Sequence, residues 1–167
     1  GVFAVAFCVS AVFVMSDKVY AAKDIRKRYG LNLLGTLDVP GAKRKSGIDA
    51  WLARLEGRRA GVDATRSGEL LAANVENYAG ACKKLLVTGL VVETQLKDLG
   101  KMLQKDYELV VGANMLESAE TLRKLPECDG VVLVEQEGFS SYADLTQEIE
   151  KVKSMDKPVV GCVVYEN

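Results

Sequence analysis

Histidine is absent from this chain. Its absence removes the commonest general base and the commonest metal ligand. The four cysteines, Cys8, Cys82, Cys128 and Cys162, form no CxxC pair and fit no zinc spacing. They read as buried, reduced thiols of a cytoplasmic protein. No catalytic residue, metal site or cofactor is expected. A strong charge of one sign is lacking too: the formal net charge is −1, which gives the whole molecule no pull toward nucleic acid.

What is present is unevenly spread. Residues 1–66 carry twelve Lys or Arg against six Asp or Glu, a net +6, and residues 67–167 carry ten against seventeen, a net −7. A basic front and an acidic back imply different neighbours for the two parts. The length of 167 residues suits one globular domain plus additional sequence.

The first fifteen residues, GVFAVAFCVSAVFVM, contain no charge. As a helix they would span about 22 Å, against about 30 Å for a bilayer core. Because the chain starts with Gly1 and not Met, residues 1–15 are read as the C-terminal part of a transmembrane helix that begins upstream. Two alternatives stay open: a signal peptide, with Val19-Tyr20-Ala21 as a small-residue cleavage site, and a buried core element. Lys18, Lys23, Arg26, Lys27 and Arg28 crowd the region behind the run. Basic residues in that place mark the cytoplasmic side and attract anionic headgroups; a solvated helix face is the plainer account.

Residues 16–66 read as a basic juxtamembrane segment and linker. Asp24–Tyr29 is a short helix stopped by Gly30, Leu31–Leu37 is strand-like, and residues 38–47 form a linker with the cluster Lys43-Arg44-Lys45. Ile48, Trp51, Leu52 and Leu55 share one helical face, resting either on a membrane surface or on the neighbouring domain. Residues 57–66 read as a mobile loop.

From residue 67 helices and strands alternate. Helices are expected at Ser67–Tyr78, with Ser67 as N-cap, and at Glu93–Gln104, Leu116–Leu125 and Tyr142–Met155. Strands are expected at Lys84–Thr88, Glu108–Gly112, Gly130–Val134 and Pro158–Tyr165. Near-continuous Val/Leu strands between amphipathic helices define a doubly wound, mainly parallel α/β sheet over 67–167. Ligands of such sheets sit beyond the carboxyl ends of strands, here Thr88-Gly89, Gly112-Ala113-Asn114 and Gln136-Glu137-Gly138.

KKLLVTG (83–89) is similar to the strand that enters the P-loop of bacterial tyrosine kinases and their ParA/MinD-like relatives. Residues 128–167 look like the closing strand–helix–strand of those kinases. Lys23–Leu37 resembles the piece behind the second membrane helix of polysaccharide chain-length determinants. In that family the first strand leads into a Gly-rich loop ending in Gly-Lys-Ser/Thr, whose N–H groups, lysine and hydroxyl hold phosphates and Mg²⁺. Here the corresponding residues run Thr88-Gly89-Leu90-Val91-Val92-Glu93-Thr94, and no lysine follows until Lys97. Glu93 puts a carboxylate at a helix N-terminus, where the family's phosphate would sit. The second acidic motif is replaced by Gly112-Ala113-Asn114. The resemblance thus implies a degenerate P-loop-like domain that is not an enzyme.

The function it implies is that of a cytoplasmic regulatory tail of an inner-membrane protein controlling capsule, exopolysaccharide or O-antigen chain length or export. Its partners would be membrane lipid, further copies of itself, and an active tyrosine kinase or polysaccharide assembly proteins. A small-molecule or receiver-like domain using Asn114, Glu137 and Ser140-Ser141 is the alternative. A different enzyme would have to use Cys162, which lacks a base, or Glu135 and Glu137 as an acid/base pair; a solvated strand end explains those two glutamates more simply.

Overall fold

The computed structural model describes residues 2–6, 17–19, 22–39, 64–104 and 107–166. Residues 2–6 are helical and exposed. Among the described residues no helix is long and apolar enough to cross a membrane. Most of the expected span lies outside them, as do residues 40–47 of the linker and the Trp51 helix face.

Among the described residues from Ala22 on, the elements follow in the order α1 (Ala22–Tyr29), β1 (Leu33–Asp38), α2 (Ala64–Ala79), β2 (Lys84–Gly89), α3 (Glu93–Leu103), β3 (Glu108–Val111), α4 (Ala119–Lys124), a 3-10 turn (Leu125–Glu127), β4 (Gly130–Gln136), α5 (Tyr142–Ser154) and β5 (Val159–Glu166). The five strands form one sheet in the order β1-β5-β4-β2-β3, and every pairing is parallel.

Alternate strand residues feed two cores. On one face Leu86, Val131, Leu133, Cys162 and Val164 pack with Ile25 of α1, Leu125 of the 3-10 turn and Leu145, Ile149 and Val152 of α5. On the other, Leu85, Val87, Val132, Val134 and Val163 pack with Leu71 and Val75 of α2 and Leu96, Leu99 and Leu103 of α3. A sheet covered on both faces needs the continuous apolar strands the sequence displays. The result is a three-layer, doubly wound α/β fold.

Two expectations need correction. The strand expected within Leu31–Leu37, set ahead of the α/β domain, is there as β1 but belongs to the sheet itself: it forms its edge and pairs with β5, with Leu37 opposite Tyr165. Leu34 and Leu37 are buried, three residues apart and not alternating, in a strand whose register on β5 shifts between Leu33 and Gly35. The α/β unit therefore takes in residues well before 67. The helix expected to start at Ser67 begins at Ala64, so Ser67 lies within its second turn and caps nothing, and the loop read over 57–66 ends before it.

Crossovers run outward from β2 to β3, then back past β2 to β4. The winding reverses between β2 and β4, and their carboxyl ends define the switch point. There the backbones nearly touch. A side chain on Gly89 would collide with the Val134 carbonyl oxygen, so glycine is required by close approach. Gly89→Ala should lower stability by about 2–3 kcal/mol, read as a fall in urea midpoint at unchanged slope. A variant as stable as the parent would mean that β2 and β4 are free to part at this end.

Candidate functional site

The turn between β2 and α3 holds only Leu90, Val91 and Val92. The backbone of Val92 is bonded locally. Val92 N–H donates to Gln95 Oε1 at 3.3 Å, and the Val92 carbonyl accepts from Gln95 N at 3.0 Å and Leu96 N at 3.4 Å. The side chain that folds back over this helix start is therefore the amide of Gln95, which is 3% exposed. Glu93, expected to stand in a phosphate's place, is exposed and pairs instead with Lys97 one turn along, at 2.7 Å. An i,i+4 Glu–Lys pair is the simpler use of a carboxylate in a first helical turn. Thr94 is exposed beside it.

The remaining expected positions are scattered. Thr88 is buried and donates through Oγ1 to the Ala113 carbonyl at 2.9 Å. Gly112 N–H donates to Val87 O at 3.0 Å. Asn114 Oδ1 accepts from Leu116 N at 3.0 Å, forming a local turn. These bonds tie the β2 and β3 ends together and aim no charged group at the crevice. Lys18, Lys23, Arg26, Lys27 and Arg28 are all exposed. Lys18 forms an antiparallel bridge with Ser141, and the Arg28 guanidinium lies 4.4 Å over the Tyr142 ring, a cation–π geometry.

Across the switch point the loop after β4 closes onto the loop after β2. Ser140 Oγ donates to Leu90 O at 3.2 Å and accepts from Gln136 N at 3.0 Å. Ser141, set with Ser140 in the receiver-like alternative, instead caps α5, accepting from Asp144 N at 3.1 Å. On the far side Tyr165 Oη donates to the Gln95 carbonyl at 3.2 Å, and burial pushes its phenol up to about 12.

The most unusual chemistry lies beneath α5. Glu135, on the face of β4 that carries Val131 and Leu133, is fully buried, and so is Glu148 of α5. The reading of Glu135 as a solvated strand-end residue is therefore overturned. As carboxylates, neither finds a hydrogen-bond donor among the described groups; the Ser140 proton is directed at Leu90. Burial pushes the Glu135 carboxyl up to about 7, with the nearness of Glu148 and Ser140 pulling it back in part. Burial, then the Glu135 charge, raises Glu148 well above the ordinary range. Two like charges in a dry site cannot both ionise, and a shared proton turns repulsion into a hydrogen bond. Cys162 of β5 lies close enough that burial and both glutamates raise its thiol well above normal. It is a buried thiol with no activating base, as the sequence suggested. Cys82 and Cys128 are likewise free, and Cys8 lies outside the described residues.

The sequence carried a signal for Glu148 that was missed. It falls three residues after Leu145 and one before Ile149, on the stripe that faces the sheet. A charged residue on an apolar stripe marks a buried carboxyl.

No known family pattern and no curated protein matches the chain. Among solved structures, the BceF tyrosine kinase domain aligns over 89% of this chain and 99% of its own, with a TM-score of 0.56 and 10% sequence identity. The chimerical protein CapA2B2 aligns over 87% of this chain and 98% of its own at 11% identity, with a TM-score of 0.43. At such identities the likeness to the BceF domain is one of fold.

The acid pair makes stability depend on pH with a defined sign. Below about 4.5 folded and unfolded chains both hold the Glu135 proton; between about 4.5 and about 7 only the folded chain does. Stability should therefore fall as pH rises through that window, at roughly 1.4 kcal/mol per pH unit per group, and Glu148 carries the decline higher. Urea midpoints across pH 4.5 to 8 check this. Replacing both residues, Glu135→Gln with Glu148→Gln, should remove the slope.

Proposed function

We propose that this chain is a non-catalytic, kinase-folded module on the cytoplasmic side of an inner membrane, regulating the chain length or export of a polysaccharide such as capsule, exopolysaccharide or O-antigen. The observation that carries the reading is the β2–α3 turn. Three residues join strand to helix, and the N–H of the last is already taken by Gln95. A phosphate cradle needs a longer glycine-rich loop with free N–H groups, a lysine and a hydroxyl. Phosphoryl transfer rests on positioned charge of that kind.

Further support comes from the fold, shared with the BceF tyrosine kinase domain, and from the sequence resemblance of Lys23–Leu37 to the chain-length determinants. The joining of β1 to the sheet makes that piece part of the domain's architecture. The exposed cations Lys18, Lys23, Arg26, Lys27 and Arg28 suit an anionic lipid surface. Further copies of the chain or an active kinase are the protein partners of this reading.

Isothermal titration of the full chain with ATP·Mg²⁺ tests the non-catalytic part. No heat of binding is expected up to millimolar nucleotide. Saturable binding at micromolar concentration would overturn it.

A further inference from the structure

The loop that joins Glu135 to the helix bearing Glu148 is also where the N-terminal segment docks. Gln136 O accepts from Phe139 N at 3.2 Å and Ser140 N at 3.0 Å, which folds the loop into a compact turn. Residues 17–19 lie along it. Val19 N donates to Ser140 O at 2.9 Å, Gly138 N donates to Val19 O at 2.7 Å, and Tyr142 N donates to Asp17 O at 2.7 Å. The Asp17 carboxylate accepts from Ala143 N at 2.8 Å. Beyond them α1 lies against α5. Tyr29 Oη donates to Tyr142 O at 2.8 Å and lies 2.9 Å from Thr146 Oγ1. Val19, Ala22 and Ile25 share a core cluster with Leu145 and Ile149. Residues 17–19 and 22–29 thus rest on α5 and the loop before it, and α5 rests on the sheet across the carboxyl pair.

We propose that Glu135 and Glu148 form a proton-held latch for residues 17–19 and 22–29: a shared proton keeps α5 seated on β4, and its loss releases those residues from their dock. Asp144 from α5 adds a charge of the same sign, Cys162 from β5 is a neutral thiol, and Ser140 comes from the loop. Among the described residues no cation acts on the pair. From α1, Asp24 and Arg28 bear on Tyr142 and not on the glutamates. An ionised pair in this setting has neither donor nor counter-ion, and moving α5 outward is the way to water. The proton is exchanged with solvent, so no further reactant is needed. The latch stands independently of the polysaccharide reading.

Hydrogen exchange of the full chain, followed by mass spectrometry and corrected for intrinsic rates, tests it. Protection of peptides covering 17–25 and 138–146 should fall at least about tenfold between pH 6 and pH 8.5, as expected of a group titrating near neutrality. Protection of α3, which opens only with the whole fold, should stay above that of these peptides at both pH values, which separates local release from global unfolding. Glu135→Gln with Glu148→Gln should keep the segment protected at both pH values. If that double variant fails to fold, Glu148→Gln alone, which gives Glu135 an amide donor and removes the like charge, should cut the change to under about threefold. Equal protection of the parent at both pH values, a fall that survives in the Gln variants, or protection of the segment no lower than that of α3 would each overturn the latch.

Discussion

β4 is hydrogen-bonded along both edges, to β2 and to β5, and packed on both faces, so a side chain on it has no route to solvent except by displacing a helix. That constraint governs the rest of the molecule. It selects valine and leucine at Val131 to Val134, because each must fill one of two closed cores. It forces Gly89 of the neighbouring strand to be bare. It also turns Glu135, one residue further along, into a group whose charge state is coupled to how α5 sits. In a buried, donor-free place a carboxylate costs several kcal/mol, and the inexpensive answer is to keep the proton.

Much of this was legible in the sequence, because the layer pattern is written in burial periodicity. The strands from Lys84 onward and the helices Glu93–Leu103 and Tyr142–Ser154 lie within a residue or two of where apolar spacing placed them. What was not legible depended on partners distant in sequence. Leu33–Asp38 was legible as a strand but was set outside the domain, because nothing local says that its edge will be met by β5. The N-terminus of α2 was misplaced because Ser67 was chosen as the cap, although Asp63, a residue type as well suited, stands directly before Ala64 in the sequence. At the switch point the sequence drew attention to Glu93, a charge at a helix start, whereas the structure uses Gln95, whose amide is able to accept from the backbone and remain buried without a charge to neutralise. Glu135 was visible but set in the wrong environment, since the end of a strand is exposed only when the following loop leaves it, and here residues 137–140 fold back over it.

The fold and the chemistry of the crevice point in different directions, and this is expected of common α/β architectures. A likeness to the BceF tyrosine kinase domain at 10% identity is a likeness of layers and strand order. The crevice between β2 and β4 is spanned by the Ser140–Leu90 hydrogen bond, while the titratable groups have gathered under α5.

The antiparallel docking of residues 17–19 on the loop before α5 has a mechanical consequence. Tension entering the chain ahead of Asp17 meets the bonds at Asp17 and Val19 before it reaches α1 or the β1–β5 ladder. Those few bonds are the weakest link along the load path, backed by the Tyr29–Tyr142 contact and only then by a sheet edge five register pairs long. A pull on the N-terminal end would therefore peel the segment from α5 first, leaving the sheet intact as the part that bears sustained force.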